Sequence, residues 1–274
     1  MLLLTLRLIS APVLILGATA IQRRFGQSVG GRIVGLPLTS LPILGLICIS
    51  EGPGFAGRAA GASLDGAVAQ SVWCLVYVWT ARRFGPARSL AASTTAFAAS
   101  CLLLYPLVLA ILWATLLGGA SIIAALAVWP QGERPSTTPA LKRRGDLAAR
   151  VLAGTAFSVA ITTMASTLGP RASGLLTAFP VLTVVLAVAT HLSEGEASSR
   201  QFLEGVLAGS LSVVAGLATV ALTLGPFGPA VAFPLSVTAS GAAQLVRLKW
   251  AVGIRPALSQ LGRKAIERGW MLAE

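Results

Sequence analysis

VLAGSLSVVAGLATVALTLGPFGPAVAFPLSVTASGAAQLV, residues 206–246, contains no charged side chain. At 1.5 Å per residue, one helix of that length would overshoot the roughly 30 Å hydrocarbon core of a bilayer about twofold. The run must therefore turn, and Gly225-Pro226-Phe227-Gly228-Pro229 supplies the turn residues. Residues 89–129 are uncharged too. There the break falls at Tyr105-Pro106, because proline disfavours helix at the residue before it. Runs this long and this apolar belong in lipid.

Working outward, candidate spans are 2–21, 33–50, 59–81, 89–106, 107–129, 147–168, 172–192, 202–224 and 228–246. The expected fold is all-α, a polytopic transmembrane bundle of about nine spans. Composition agrees: 55% of the 274 residues are hydrophobic and 11% charged. A soluble domain carries about a quarter charged residues. Ala18-Thr19-Ala20 resembles a signal-peptide cleavage site. However, no positive charge precedes the apolar run, and the segment has a counterpart later in the chain, so it reads as the first helix.

A net charge of +12 often suggests nucleic acid. Against that partner, Lys and Arg here sit in short segments between apolar runs. That is the pattern of topogenic signals facing an anionic inner leaflet. Arg23, Arg24 and Arg32 lie between spans one and two; Arg82, Arg83 and Arg88 between three and four; Lys142, Arg143, Arg144 and Arg150 before span six. With nine spans all of these fall on one side, placing the amino terminus outside and the carboxyl terminus in the cytoplasm of a bacterial inner membrane. The tail 248–274 is basic and amphipathic, suited to anionic lipid.

A repeat is also legible. Gly31-Arg32-Ile33-Val34-Gly35-Leu36 before Thr39-Ser40-Leu41-Pro42 resembles Pro170-Arg171-Ala172-Ser173-Gly174-Leu175 before Thr177-Ala178-Phe179-Pro180. Ser50-Glu51-Gly52 resembles Ser193-Glu194-Gly195, Leu64-Asp65-Gly66 resembles Leu203-Glu204-Gly205, and Phe84-Gly85-Pro86-Ala87 recurs as Phe227-Gly228-Pro229-Ala230. The predicted organisation is a four-helix repeat over 1–107, a connector helix and cytoplasmic linker over 108–146, a second repeat over 147–247, and the tail. The connector adds one crossing, which inverts the second repeat. The Phe227 turn has no charge where its counterpart has Arg82, Arg83 and Arg88, and Arg171 alone answers Arg23, Arg24 and Arg32, as inversion would require.

The run Gly174-Leu175-Leu176-Thr177-Ala178-Phe179-Pro180, followed by Leu203-Glu204-Gly205, resembles the GlpM-like group of small bacterial inner-membrane proteins. Those are roughly four-span units linked to exopolysaccharide output, so the resemblance implies a fused pair here. More distantly, paired inverted units resemble the drug/metabolite transporter superfamily. Its members have two units of five spans, whereas the tail after Val246 is too charged to add a tenth.

Inverted repeats point to alternating access. The expected function is a transporter or flippase-like permease for a small metabolite or lipid-linked precursor. The alternative is a non-transporting scaffold or regulator of envelope polysaccharide or lipid assembly. A second copy of the chain is a further expected partner. Pathway candidates begin with Thr39 and Pro42 in span two and Thr177 and Pro180 in span seven. Proline frees the carbonyl four residues earlier, and threonine can bond what is freed. Asp65 and Glu204 begin their helices as helix-dipole acids or as proton or cation sites. His191 and Glu194, with Glu51 as the outer counterpart, complete the set. The single histidine and the scattered Cys48, Cys74 and Cys101 support no enzyme, metal site or cofactor.

Overall fold

The computed structural model describes residues 13, 15–22, 24–37, 40–107, 109–130, 152 and 179–246. Most of the first span (2–21), the span expected over 147–168 apart from Leu152, the start of 172–192, the linker from 131, and the tail 248–274 lie outside them. Among the described residues every regular element is a helix. Residues 15–22 are helical and lead into α1 (Gln27–Val34), α2 (Ser40–Glu51) and α3 (Pro53–Ala81). These are followed by α4 (Pro86–Leu104), α5 (Ile111–Ala127), α6 (Val181–Glu194), α7 (Glu196–Phe227) and α8 (Pro229–Val246). Among the described residues three helices, α4, α7 and α8, are long and apolar enough to cross a membrane.

Both expected breaks occur, one of them displaced. Helix α4 stops at Leu104, just before Tyr105-Pro106. The turn expected at 225–229 is narrower than its five residues suggest. Helix α7 runs through Pro226 to Phe227, and the chain turns on Gly228 at φ 73°. Two other boundaries move further. The span predicted at 33–50 is two helices, so Arg32 lies within α1 and not in a loop. Spans predicted at 59–81 and 202–224 each begin six residues earlier, at Pro53 and Glu196. The connection before each has shrunk to one glycine. Gly52 (φ 86°, ψ 165°) and Gly195 (φ 90°, ψ 176°) occupy backbone space that is costly for any residue with a Cβ.

Helices α3 and α7 form the centre. Their 29 and 32 residues give lengths of about 43 and 48 Å, longer than a bilayer core. They run antiparallel. Gln70 Nε2 donates to Ser210 Oγ at 3.2 Å, Tyr77 bonds Ser199, and the start of α3 shares a cavity with the end of α7. Small side chains allow the approach: Ala56, Ala59, Ala60 and Ala69 are fully buried on α3, as is Ser212 on α7. Buried serines return their hydroxyls to the preceding turn, as Ser71 to Ala67 O (2.9 Å) and Ser210 to Val206 O (2.9 Å). Their polarity is thereby satisfied within the helix.

Around this pair the two halves of the sequence interleave. Helix α1 packs on α7 through Gly31, Gly35, Gly205 and Gly209, a G-x-x-x-G spacing on each side. A Cβ on Gly209 would stand 2.5 Å from Arg32 O and 2.9 Å from Gly35 Cα. Helix α5 touches both central helices at Gly118, whose added Cβ would meet Leu64 O at 3.0 Å and Val214 Cγ2 at 3.7 Å. Phe97 of α4 meets Phe179, just before α6, edge to face at 4.9 Å. Leu102, Leu103, Trp113, Leu116 and Ile123 on α4 and α5, and Val231, Leu235 and Val237 on α8, face outward. Exposed apolar rows on helices of this kind suit a lipid surround.

Candidate functional site

One face of α3 is nearly bare. Gly54, Gly57, Arg58, Gly61, Ala62 and Asp65 recur at helical spacing along it, and three of the six are glycines. The result is a cavity of about 400 Å³. Its opposite wall is Leu109 and Ile111 before and at the start of α5, with Ala221 and Gly225 of α7. Among the described lining residues two are charged, and they lie at different depths. Arg58 is exposed and its guanidinium folds back over Gly54, 3.6 Å from where a Cβ there would sit. Asp65, 3% exposed, lies at the inner end. A cavity of this size accommodates a small molecule.

The far end of the α3–α7 pair is closed by polar contacts. Tyr77 stacks on Trp73 (centroids 5.2 Å apart) and its hydroxyl lies 3.2 Å from His191 Nδ1. Tyr77 also bonds Ser199, whose Oγ donates to Ala187 O at 2.9 Å. At the rim, Gln27 Nε2 of α1 donates to Glu194 Oε2 of α6 at 2.7 Å. Arg200 pairs with Glu196 at 3.8 Å on α7. Helices α1, α3, α6 and α7 are thus tied together at one end, while the other end holds the cavity.

The residues expected from sequence separate into groups. Asp65 reaches the cavity; His191 and Glu194 join the closed end. Glu51 ends α2 in an exposed position, and Glu204 is half-buried on α7. Gly195 follows Gly52 by 143 residues and Gly228 follows Gly85 by 143, whereas Glu204 follows Asp65 by only 139. The two acids therefore sit one helical turn out of register, and Ala208 is the position corresponding to Asp65. Pro42 lies exposed in the first turn of α2, where its missing N–H leaves no gap. Pro180 is buried and caps α6. At the 143-residue interval its counterpart is Pro37, also just before a helix. Thr39 and Thr177 lie outside the described residues.

Sequence reasoning missed Arg58, Tyr77, Gln27 and Ser199. Arg58 had a signal: with Gly54, Gly61 and Asp65 it forms an i, i+4, i+7, i+11 stripe. Tyr77 and Gln27 had none, because their partners lie 114 and 167 residues away. Comparison with known protein families, with curated proteins and with solved structures found no match.

Proposed function

We propose that this chain is a multi-pass permease of a bacterial inner membrane, moving a small metabolite or lipid-linked precursor by alternating access between two inverted halves. About nine spans, with the amino terminus outside, remain the reading that best fits the charges. The observation that carries the proposal is the antiparallel crossing of α3 and α7. An inverted duplication requires corresponding helices to run in opposite directions about an in-plane twofold axis. Ala69 and Ser212 are 143 residues apart and fully buried, next to the Gln70–Ser210 bond. They are the positions such an axis would relate.

Around that axis the two ends differ. The stretch of α3 from Gly54 to Asp65 borders the cavity. The corresponding stretch of α7, 197–208, includes Phe202 and Gly205, which are closed over by α1, and Ser199 at the polar cluster. One end open and its counterpart sealed is the arrangement of one access state, and exchanging them gives the other.

The test is residue tagging in a background with the three native cysteines replaced. Phe84→Cys and Phe227→Cys probe two turns that are exposed in the structure. Membrane-impermeant maleimide should label them from opposite faces of the bilayer. Labelling from the same face would remove the inversion, and alternating access with it. Gly61→Cys and Glu204→Cys should then show reciprocal accessibility when conditions shift the equilibrium.

A further inference from the structure

The geometry points to a substrate class for the α3 cavity: a membrane lipid with a phosphate headgroup, one linear chain of which lies along the glycine face. The inference rests on the permease reading and chooses between the two substrates which that reading leaves open.

Three observations carry it. The first is a contrast between glycines. Gly31, Gly35, Gly205 and Gly209 are explained by packing, since a Cβ on any of them would strike a backbone atom across the seam. Gly57 and Gly61 on α3 and Gly225 on α7 are not, because a Cβ there would meet nothing within 4 Å. Glycine is a poor helix former, and no neighbouring atom demands it at these three positions. What the three provide is room along the cavity they line.

The second is the fit to one leaflet. Helix α3 exceeds the hydrocarbon core by about 13 Å, so when centred it projects about 6 Å at each end, into the headgroup layer. The guanidinium of Arg58 folds back over Gly54, within that layer. From Gly54 to Asp65 is about 16 Å along the axis, against about 15 Å for half the core. Spread over the full length from Pro53, 400 Å³ gives a mean cross-section of about 22 Å², enough for one extended chain. Both walls also meet lipid-facing surface. Leu112 and Trp113 beside Ile111, and Leu222 beside Ala221, are exposed.

The third is polarity. Arg58 is exposed at the mouth, and among the described residues no carboxylate pairs with it. Arginine matches phosphate oxygens with paired N–H donors. Asp65 at the inner end is 3% exposed and already partnered within the protein, so it asks no charge of the occupant. Between them Gly57, Gly61, Leu109, Ile111 and Ala221 offer no polar side chain. A hydrophilic solute would shed water along that wall without replacement bonds, whereas a methylene chain loses nothing there.

The experiment is titration of the full chain in maltoside micelles with lysophosphatidic acids of graded acyl length, bound molecules being counted by native mass spectrometry. Glycerol phosphate supplies the headgroup without a chain, and monoacylglycerols the chain without a phosphate. Affinity should rise with acyl length and level off once the chain reaches about 16 Å. Both controls should bind at least about tenfold more weakly. Arg58→Gln should weaken lysophosphatidate about tenfold and leave monoacylglycerol unchanged. Gly57→Leu and Gly61→Leu, whose side chains enter open space, should each block the chain with the melting temperature unchanged. Affinity independent of length, either control binding as tightly, full binding by both leucine variants, or no binding of any lysophosphatidate would each overturn the assignment. Binding needs no alternation, so length-dependent binding with failed inversion would sink the permease reading alone. Intact inversion without such binding would sink the lipid assignment alone.

Discussion

Replacing Gly205 or Gly209 by alanine should destabilise the protein although alanine is the better helix former. The intrinsic gain from Gly to Ala in a helix is about 1 kcal/mol. Against it stands the seam with α1. A Cβ on Gly209 would be 2.5 Å from Arg32 O, about 0.9 Å short of ordinary contact at 3.4 Å. On Gly205 it would lie still closer to Ser28 O, and 3.1 Å from Arg32 N. These obstacles are backbone atoms, so no rotamer change relieves them, and the helices must part by about 1 Å. A gap of that size forfeits a quarter to a half of each dispersion contact. If the seam holds as many atom pairs as one buried leucine, 40–60 at about 0.1–0.2 kcal/mol each, even the smaller loss is about 1–3 kcal/mol. Added overpacking strain of about 1–3 kcal/mol outweighs the propensity gain.

The assay is equilibrium unfolding in mixed micelles or steric trapping in bilayers. Gly61→Ala serves as control, because its new Cβ meets nothing within 4 Å. Gly205→Ala and Gly209→Ala should each lose about 1–5 kcal/mol, and Gly61→Ala should be neutral or slightly stabilised. Gly31→Ala combined with Gly205→Ala should cost less than the sum of the two, since a seam already opened by one methyl accepts the second. Equal stability of Gly205→Ala and Gly61→Ala would refute the close-packed seam.

Other outcomes follow from single contacts. Gly52→Ala and Gly195→Ala add no clash, since nothing lies within 4 Å. Each should nevertheless cost about 1–3 kcal/mol of backbone strain, read by the same unfolding assay. Tyr77→Phe keeps the stack on Trp73 and removes the hydroxyl that meets His191 and Ser199. The expected loss is about 0.5–1.5 kcal/mol, and a histidine NMR resonance unmoved by the change would count against the contact. Gln27→Ala breaks the 2.7 Å bond to Glu194. Because Glu194 reaches solvent, the cost should stay near about 1 kcal/mol, and a cycle with Glu194→Ala should recover most of it as coupling.

What the sequence revealed was mostly local. Uncharged runs, prolines and glycines located the helix breaks, because those breaks depend on backbone chemistry within a few residues. Gly228 and Leu104 fall within a few residues of the expected turns for that reason. The α3 and α7 boundaries were displaced because Arg58 and Glu196 read as loop residues, whereas a 29-residue helix carries Arg58 on its own cavity face. Thr39-x-x-Pro42 reads as a kink inside one span. The chain does break there, but Pro42 follows the break on an outward face. The spacing Gly205-x-x-x-Gly209 suits close helix packing but does not name its partner. That partner, Gly31 and Gly35, had been read only as part of a repeat, and no short-range pattern joins residues so far apart in the chain.

That cross-half seam bears on how the molecule can move. Two halves that met only along α3 and α7 could rock as separate bodies. Here α1 grips α7, Phe97 of α4 meets Phe179 before α6, and α5 touches both central helices at Gly118. Among the described elements, the first half therefore covers the second half's central helix and the connector α5 braces both, so the central pair cannot tilt freely while these elements stay in place. The contacts best suited to exchange are those made by short elements: α1, eight residues long, and the start of α2 behind Gly35. Glycine seams can slide or separate without repacking large side chains. On the proposed permease reading, alternation would be a regrouping of short flanking helices around a fixed antiparallel pair. A disulfide between α1 and α7 should arrest exchange, and one across the Gln70–Ser210 crossing should leave it intact. The opposite pattern would mean that the central pair itself is what moves.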